Sequence, residues 1–104
     1  MLSQNQIQQI VDTIVKGYHP EKVIIFGSYV NGTANEGSDL DFLIIKKTKE
    51  GYYKRSGEIH KLFTPYPCSM DILVYTPKEY KSRKNVIGTF ANIVHNTGKV
   101  IYEK

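Results

Sequence analysis

The segment Val23-Ile24-Ile25-Phe26-Gly27-Ser28, then Gly32, then Ser38-Asp39-Leu40-Asp41-Phe42-Leu43-Ile44-Ile45, decides how the rest of the chain is read. An apolar run ends in a Gly-Ser turn, and a second apolar run opens with two aspartates one residue apart. Side chains alternate along a strand, so Asp39 and Asp41 share one face near its start. A third apolar run, Met70-Asp71-Ile72-Leu73-Val74, also opens with an acid.

Helical signals flank these strands. Ser3 and Gln6 have capping-box spacing, with Leu2 and Ile7 placed for a hydrophobic staple. Ile7, Ile10, Val11, Ile14 and Val15 recur at helical intervals, and Gly17 is the expected stop. A short helix is expected from Ser28 to about Gly32, and a loop over 34–37. Residues 51–63 read as a helix presenting Tyr52, Ile59, Leu62 and Phe63 inward, ended by Pro65 and Pro67. Thr76-Pro77-Lys78-Glu79 is a second capping box with proline at the first helical position. A last helix over 89–96, stopped by Gly98, precedes a short edge strand, Lys99 to Tyr102. Alternation of this kind predicts an α/β fold: a small mixed sheet with helices packed on it.

The order of elements brings the acids together. If the first two strands are antiparallel, the Gly27-Ser28 turn and the Asp39/Asp41 pair share one end of the sheet. The roughly 23-residue connection from Lys46 to Cys68 has room for a helical crossover, which makes the third strand parallel to the second. Asp71 then falls at the same end. Three neighbouring carboxylates raise one another's pKa unless a cation holds them. Hard divalent ions with oxygen ligands, magnesium above all, resolve that conflict and bring nucleotide phosphates with them. A pair of such ions stabilises the attacking and leaving oxygens of an in-line displacement. The Ser28 hydroxyl and the backbone N–H groups beside Gly27 are the expected phosphate contacts.

Composition sets the frame for this reading. The 104 residues are 40% hydrophobic and 23% charged, which suits one domain over residues 1–104. No apolar run approaches the ~20 residues of a membrane span, and no signal-peptide pattern precedes the first helix. A lone cysteine, Cys68, excludes an intramolecular disulfide and a Cys-based zinc site. The expected compartment is the cytoplasm. The net charge of +4 is spread along the chain, and solvated faces explain it as well as an acidic partner does.

Gly27-Ser28, ten intervening residues, Asp39-x-Asp41 and a later Asp71 resemble the polymerase-beta-type nucleotidyltransferase superfamily. The chain length, Tyr75-Thr76-Pro77-Lys78-Glu79-Tyr80 and the closing Gly98-Lys99-Val100-Ile101-Tyr102 are similar to its minimal stand-alone branch, the MNT proteins. The resemblance covers about residues 20 to 102. It implies that Gly27 and Ser28 contact nucleotide phosphates, that Asp39 and Asp41 bind magnesium, and that Asp71 is the third catalytic and metal-binding carboxylate. It further implies transfer of AMP from ATP to a tyrosine of a HEPN-domain toxin, which makes the chain the antitoxin of a pair. Many relatives carry an arginine directly after Gly-Ser, where Tyr29 stands here; Lys46, Lys54 and Arg55 are the cations considered as its replacement.

Other readings attach to single residues. A Gly-Ser turn or an Asp-x-Asp pair alone is common, whereas an acid inside an apolar strand start is costly without a reason. His19, His60 and His95 lack metal-ligand spacing, and no Gly-x-Ser-x-Gly elbow supports a serine nucleophile. Tyr52, Tyr53 and Tyr66 are candidates for stacking on a base or meeting a partner. Two functional alternatives remain: an antitoxin that acts by binding alone, and nucleotidyl transfer to RNA or a small alcohol. The absence of a base-stacking platform or long basic groove in the sequence speaks against a nucleic-acid partner.

Overall fold

The computed structural model describes residues 1–104. The chain runs α1 (Gln4–Tyr18), β1 (Lys22–Phe26), α2 (Ser28–Asn31), β2 (Leu40–Ile45), α3 (Tyr52–His60), β3 (Met70–Tyr75), α4 (Pro77–Arg83), α5 (Phe90–Thr97), β4 (Lys99–Glu103). Four strands form one sheet in the order β3-β2-β1-β4. β1 pairs antiparallel with β2, which meets the condition set above for bringing the Gly27-Ser28 turn to the acids, and β2 pairs parallel with β3 through the α3 crossover. β4 closes the other side against β1, with a register shift between Val23 and Ile24.

Strand alternation sorts the core into two layers. Val23, Ile25, Phe42, Ile44, Ile72 and Val74 pack beneath Ile10, Val11 and Ile14 of α1 and Ile59 of α3. On the opposite face, Ile24, Leu43, Ile45 and Tyr75 meet Tyr80 of α4 and Ala91 and Val94 of α5. β2 is the central strand of both layers: Phe42, Leu43 and Ile44 are fully buried. No helix is long and apolar enough to cross a membrane.

Both capping boxes form, at Ser3–Gln6 and at Thr76–Glu79. The first helix does not stop at Gly17. It continues to Tyr18, and His19 supplies the left-handed cap at φ 54°. Gly17 serves packing instead, since a Cβ there would collide with the Leu62 side chain. The crossover helix ends at His60, short of Phe63, and the residue it buries most tightly beside Ile59 is charged: Arg55, 6% exposed.

Candidate active site

The Gly27-Ser28 turn leaves β1 at the end of the sheet where β2 and β3 begin. Phe26 pairs with Asp41 across the antiparallel ladder, and Asp41 pairs with Asp71 across the parallel one. These three side chains therefore lie side by side on the α5 face, in the half that the helices leave uncovered. Asp39 precedes β2 by one residue and is exposed, as is Asp71; Asp41 is half-buried between them.

Gly27 adopts φ 80°, ψ −150°, a conformation open in practice only to glycine. A Cβ at this position would also run into the Asp41 carboxylate. The turn thus passes directly over an acid of the next strand, and the short helix α2 starts immediately beyond it, capped at its end by Gly32 in the left-handed region.

Desolvation pushes the Asp41 carboxyl above its ordinary value, and the charges of Asp71 and then Asp39 push it further. None of the three acids forms a salt bridge with any basic side chain. No three His, Cys, Asp or Glu side chains are grouped as a ready-made metal cage. What the chain offers is the Asp41–Asp71 register pair, with Asp39 near enough to raise Asp41, and carboxylate oxygens of this kind are hard donors that fit magnesium rather than zinc or copper.

The cations considered as replacements for the absent arginine do not reach this site. Lys46 follows β2 at its opposite end and donates to the Tyr18 and His19 carbonyls at 2.8 and 3.1 Å. Arg55 pairs with Glu79 at 2.6 Å and donates to the Val74 and Glu50 carbonyls at 3.1 and 2.9 Å. Both therefore brace the far end of the sheet, and Lys54 sits beside Arg55 on the same turn of α3. Tyr29 itself turns the other way, into the layer under α1, where its hydroxyl accepts the Leu2 N–H at 3.1 Å.

The tyrosines divide similarly. Tyr52 packs on Tyr75 at the far end of β3, and Tyr53 is 94% exposed. Tyr66 stacks on His60 and hydrogen-bonds to it, although its phenol is near enough to feel the Asp71 charge. Phe26, the register partner of Asp41, meets Phe90 edge-on at 5.3 Å. Phe26 could have been found from its place beside Gly27; Phe90 lies far away in sequence and carries no local signal.

A family model described as a nucleotidyltransferase domain matches residues 5–91. The chain is 34% identical over 93 residues to the Methanocaldococcus jannaschii protein named "Putative protein adenylyltransferase MJ0141", with 89% of each chain covered. Its fold is similar to that of a crystal structure named "putative nucleotidyltransferase" from Sulfolobus solfataricus, with a TM-score of 0.65, 19% identity, and coverage of 94% of this chain and 78% of that one. A toxin–antitoxin crystallised with AMP-PNP aligns at TM-score 0.63 and 18% identity, over 93% of this chain and 73% of the other. A mutant of the toxin–antitoxin MntA-HpeT with two aspartates replaced by glutamate aligns at 0.55 and 16%, over 99% and 75%. With its matched domain and its 34% identical relative, the chain belongs to the nucleotidyltransferase family.

Proposed function

We propose that this nucleotidyltransferase transfers AMP from ATP, with magnesium, to a tyrosine of a partner protein of the HEPN toxin class, and so acts as an antitoxin. The observation that carries this reading is the ladder of Asp41 against Asp71 with Gly27 folded over Asp41. Asp39, Asp41 and Asp71 would hold the magnesium, which neutralises phosphate charge and polarises the transferred phosphoryl group when bound. Gly27 would let the backbone approach the polyphosphate without a side chain in the way, and the Ser28 hydroxyl would donate to a phosphate oxygen. Asp71, exposed on the edge strand β3, is open to an incoming acceptor and is the carboxylate suited to taking its hydroxyl proton.

Three findings in relatives support this reading. The 34% identical relative bears the name of a protein adenylyltransferase, one similar fold was crystallised with AMP-PNP in a toxin–antitoxin, and another carries glutamates in place of two aspartates spaced as Asp39 and Asp41 are. Asp39 and Asp71 are exposed and Asp41 is half-buried, so an acceptor carried on a partner protein can approach them.

The test is incubation with α-labelled ATP, magnesium and a HEPN-class protein, followed by mass spectrometry of the product. The expected result is AMP on a tyrosine, lost with EDTA and in Asp41→Asn. Neutralisation of the toxin with no label transferred would assign the chain to antitoxins that act by binding alone.

A further inference from the structure

The acids' aromatic neighbours have no part in the chemistry above. Phe26 is the cross-strand partner of Asp41. Phe90, the first residue of α5, meets Phe26 with ring centroids 5.3 Å apart and planes at 79°. Tyr75 supports Phe90 from the other side at 6.3 Å, again edge-on. Both phenylalanines are half-buried and belong to the layer made by Ile24, Leu43 and Tyr75. They mark the border on this face between the part that α4 and α5 cover and the part that carries Asp41 and Asp71.

We infer that Phe90, braced by Phe26 and Tyr75, is the platform on which the purine of the bound nucleotide stacks; this rests on the nucleotidyl-transfer reading above. The spacing argues for it. Directly opposed residues on neighbouring strands have Cβ atoms roughly 5 Å apart, and the Phe90 and Phe26 ring centroids are 5.3 Å apart. Phe90 is thus separated from Asp41 by one intervening side chain, a gap that a ribose can bridge. A nucleotide whose reacting phosphate meets Asp41 and Asp71 brings its base, rather than its sugar, to that ring. Edge-on packing against Phe26 and Tyr75 fixes the ring's orientation, so little rotamer freedom is lost when a base arrives. A π-face reads the area of a base and not its edge, so purines are favoured over pyrimidines while ATP and GTP are held alike at this contact.

The experiment uses the full chain with magnesium and 2-aminopurine riboside triphosphate, whose fluorescence is quenched on stacking. ATP and inorganic tripolyphosphate serve as competitors. The wild type is expected to quench the probe. Phe90→Leu, which keeps apolar bulk without a π-face, should lose the quenching and bind ATP about tenfold more weakly. Its affinity for tripolyphosphate should be unchanged, and the loss should fall on KM for ATP rather than kcat. Phe90→Trp should restore quenching and affinity, which a simple folding defect would not allow. Equal ATP affinity in wild type and Phe90→Leu overturns the platform and leaves nucleotidyl transfer standing. Parallel loss of tripolyphosphate binding also overturns it, since the whole site has then collapsed. A wild type that binds neither ATP nor tripolyphosphate overturns both readings.

Discussion

Asp41 and Asp71 are register partners across the parallel β2–β3 ladder, and burial and then the Asp71 charge push the Asp41 carboxyl up. Like charges directly opposite on neighbouring strands destabilise a sheet. Burial of Asp41 adds to that cost. Keeping such a pair at the mouth of β2 costs stability, the pattern expected where a chain carries a functional site.

Asp41→Asn is accordingly expected to lower AMP transfer by at least about 100-fold while leaving the fold intact. Its melting temperature in EDTA should equal or exceed that of the wild type, because the substitution removes repulsion from Asp71 and Asp39 and keeps the side chain's shape. Label transfer and thermal melting check the two halves. Normal turnover would remove Asp41 from the site.

Two glycine substitutions should move stability in opposite directions. Gly27→Ala forces a side chain into a backbone region reserved for glycine and against the Asp41 carboxylate, at a cost of about 1–3 kcal/mol and most of the activity. Gly57→Ala, inside α3 with open space around the new methyl group, should add about 0.5–1 kcal/mol. Urea unfolding curves of the two variants provide the comparison.

The Arg55–Glu79 pair predicts an acid-sensitive brace. Hydrogen bonds from the Arg55 guanidinium, and then from the Thr76 backbone, hold the Glu79 carboxyl below its ordinary value of 4.5. A folded-state value below the unfolded one means that the contribution is complete above about the unfolded value and is lost as pH falls through the folded value. Wild-type stability should therefore decline more steeply below pH 4.5 than that of Glu79→Gln. At neutral pH the variant should be less stable by about 1–2 kcal/mol. Denaturant unfolding at a series of pH values measures both.

Tyr29→Phe tests which way residue 29 faces. Its hydroxyl accepts the Leu2 N–H and its ring lies in the layer under α1, so the variant should lose about 0.5–1 kcal/mol with unchanged turnover. By the same geometry, Tyr29→Arg should not increase turnover, because the side chain starts out toward α1 and away from Asp41. Steady-state transfer assays decide; a large gain in the arginine variant would show that residue 29 can be redirected to the phosphates.

Much of this architecture is legible in one dimension because its causes are short-range. The capping boxes at Ser3 and Thr76 depend on a three-residue spacing, whereas Asp39 lies just outside β2, where strand alternation no longer sets its direction. The parallel placement of Asp71 follows from the length of the crossover. Gly17 was harder, since a glycine that stops a helix and one that admits Leu62 look alike in sequence. Arg55 was harder still: nothing adjacent announces that Glu79 and two carbonyls will satisfy a buried guanidinium.

By itself the sequence determined the elements, the α/β layering, the end of the sheet at which the three acids gather, and the family resemblance. Those features come from local periodicity, turn chemistry and connection length. Only the tertiary structure decided that Lys46 and Arg55 belong to the opposite end, that Tyr29 faces α1, and that Phe90 meets Phe26. Each of these depends on which distant surfaces pack together, and a side chain's direction in space is settled by that packing rather than by its neighbours along the chain.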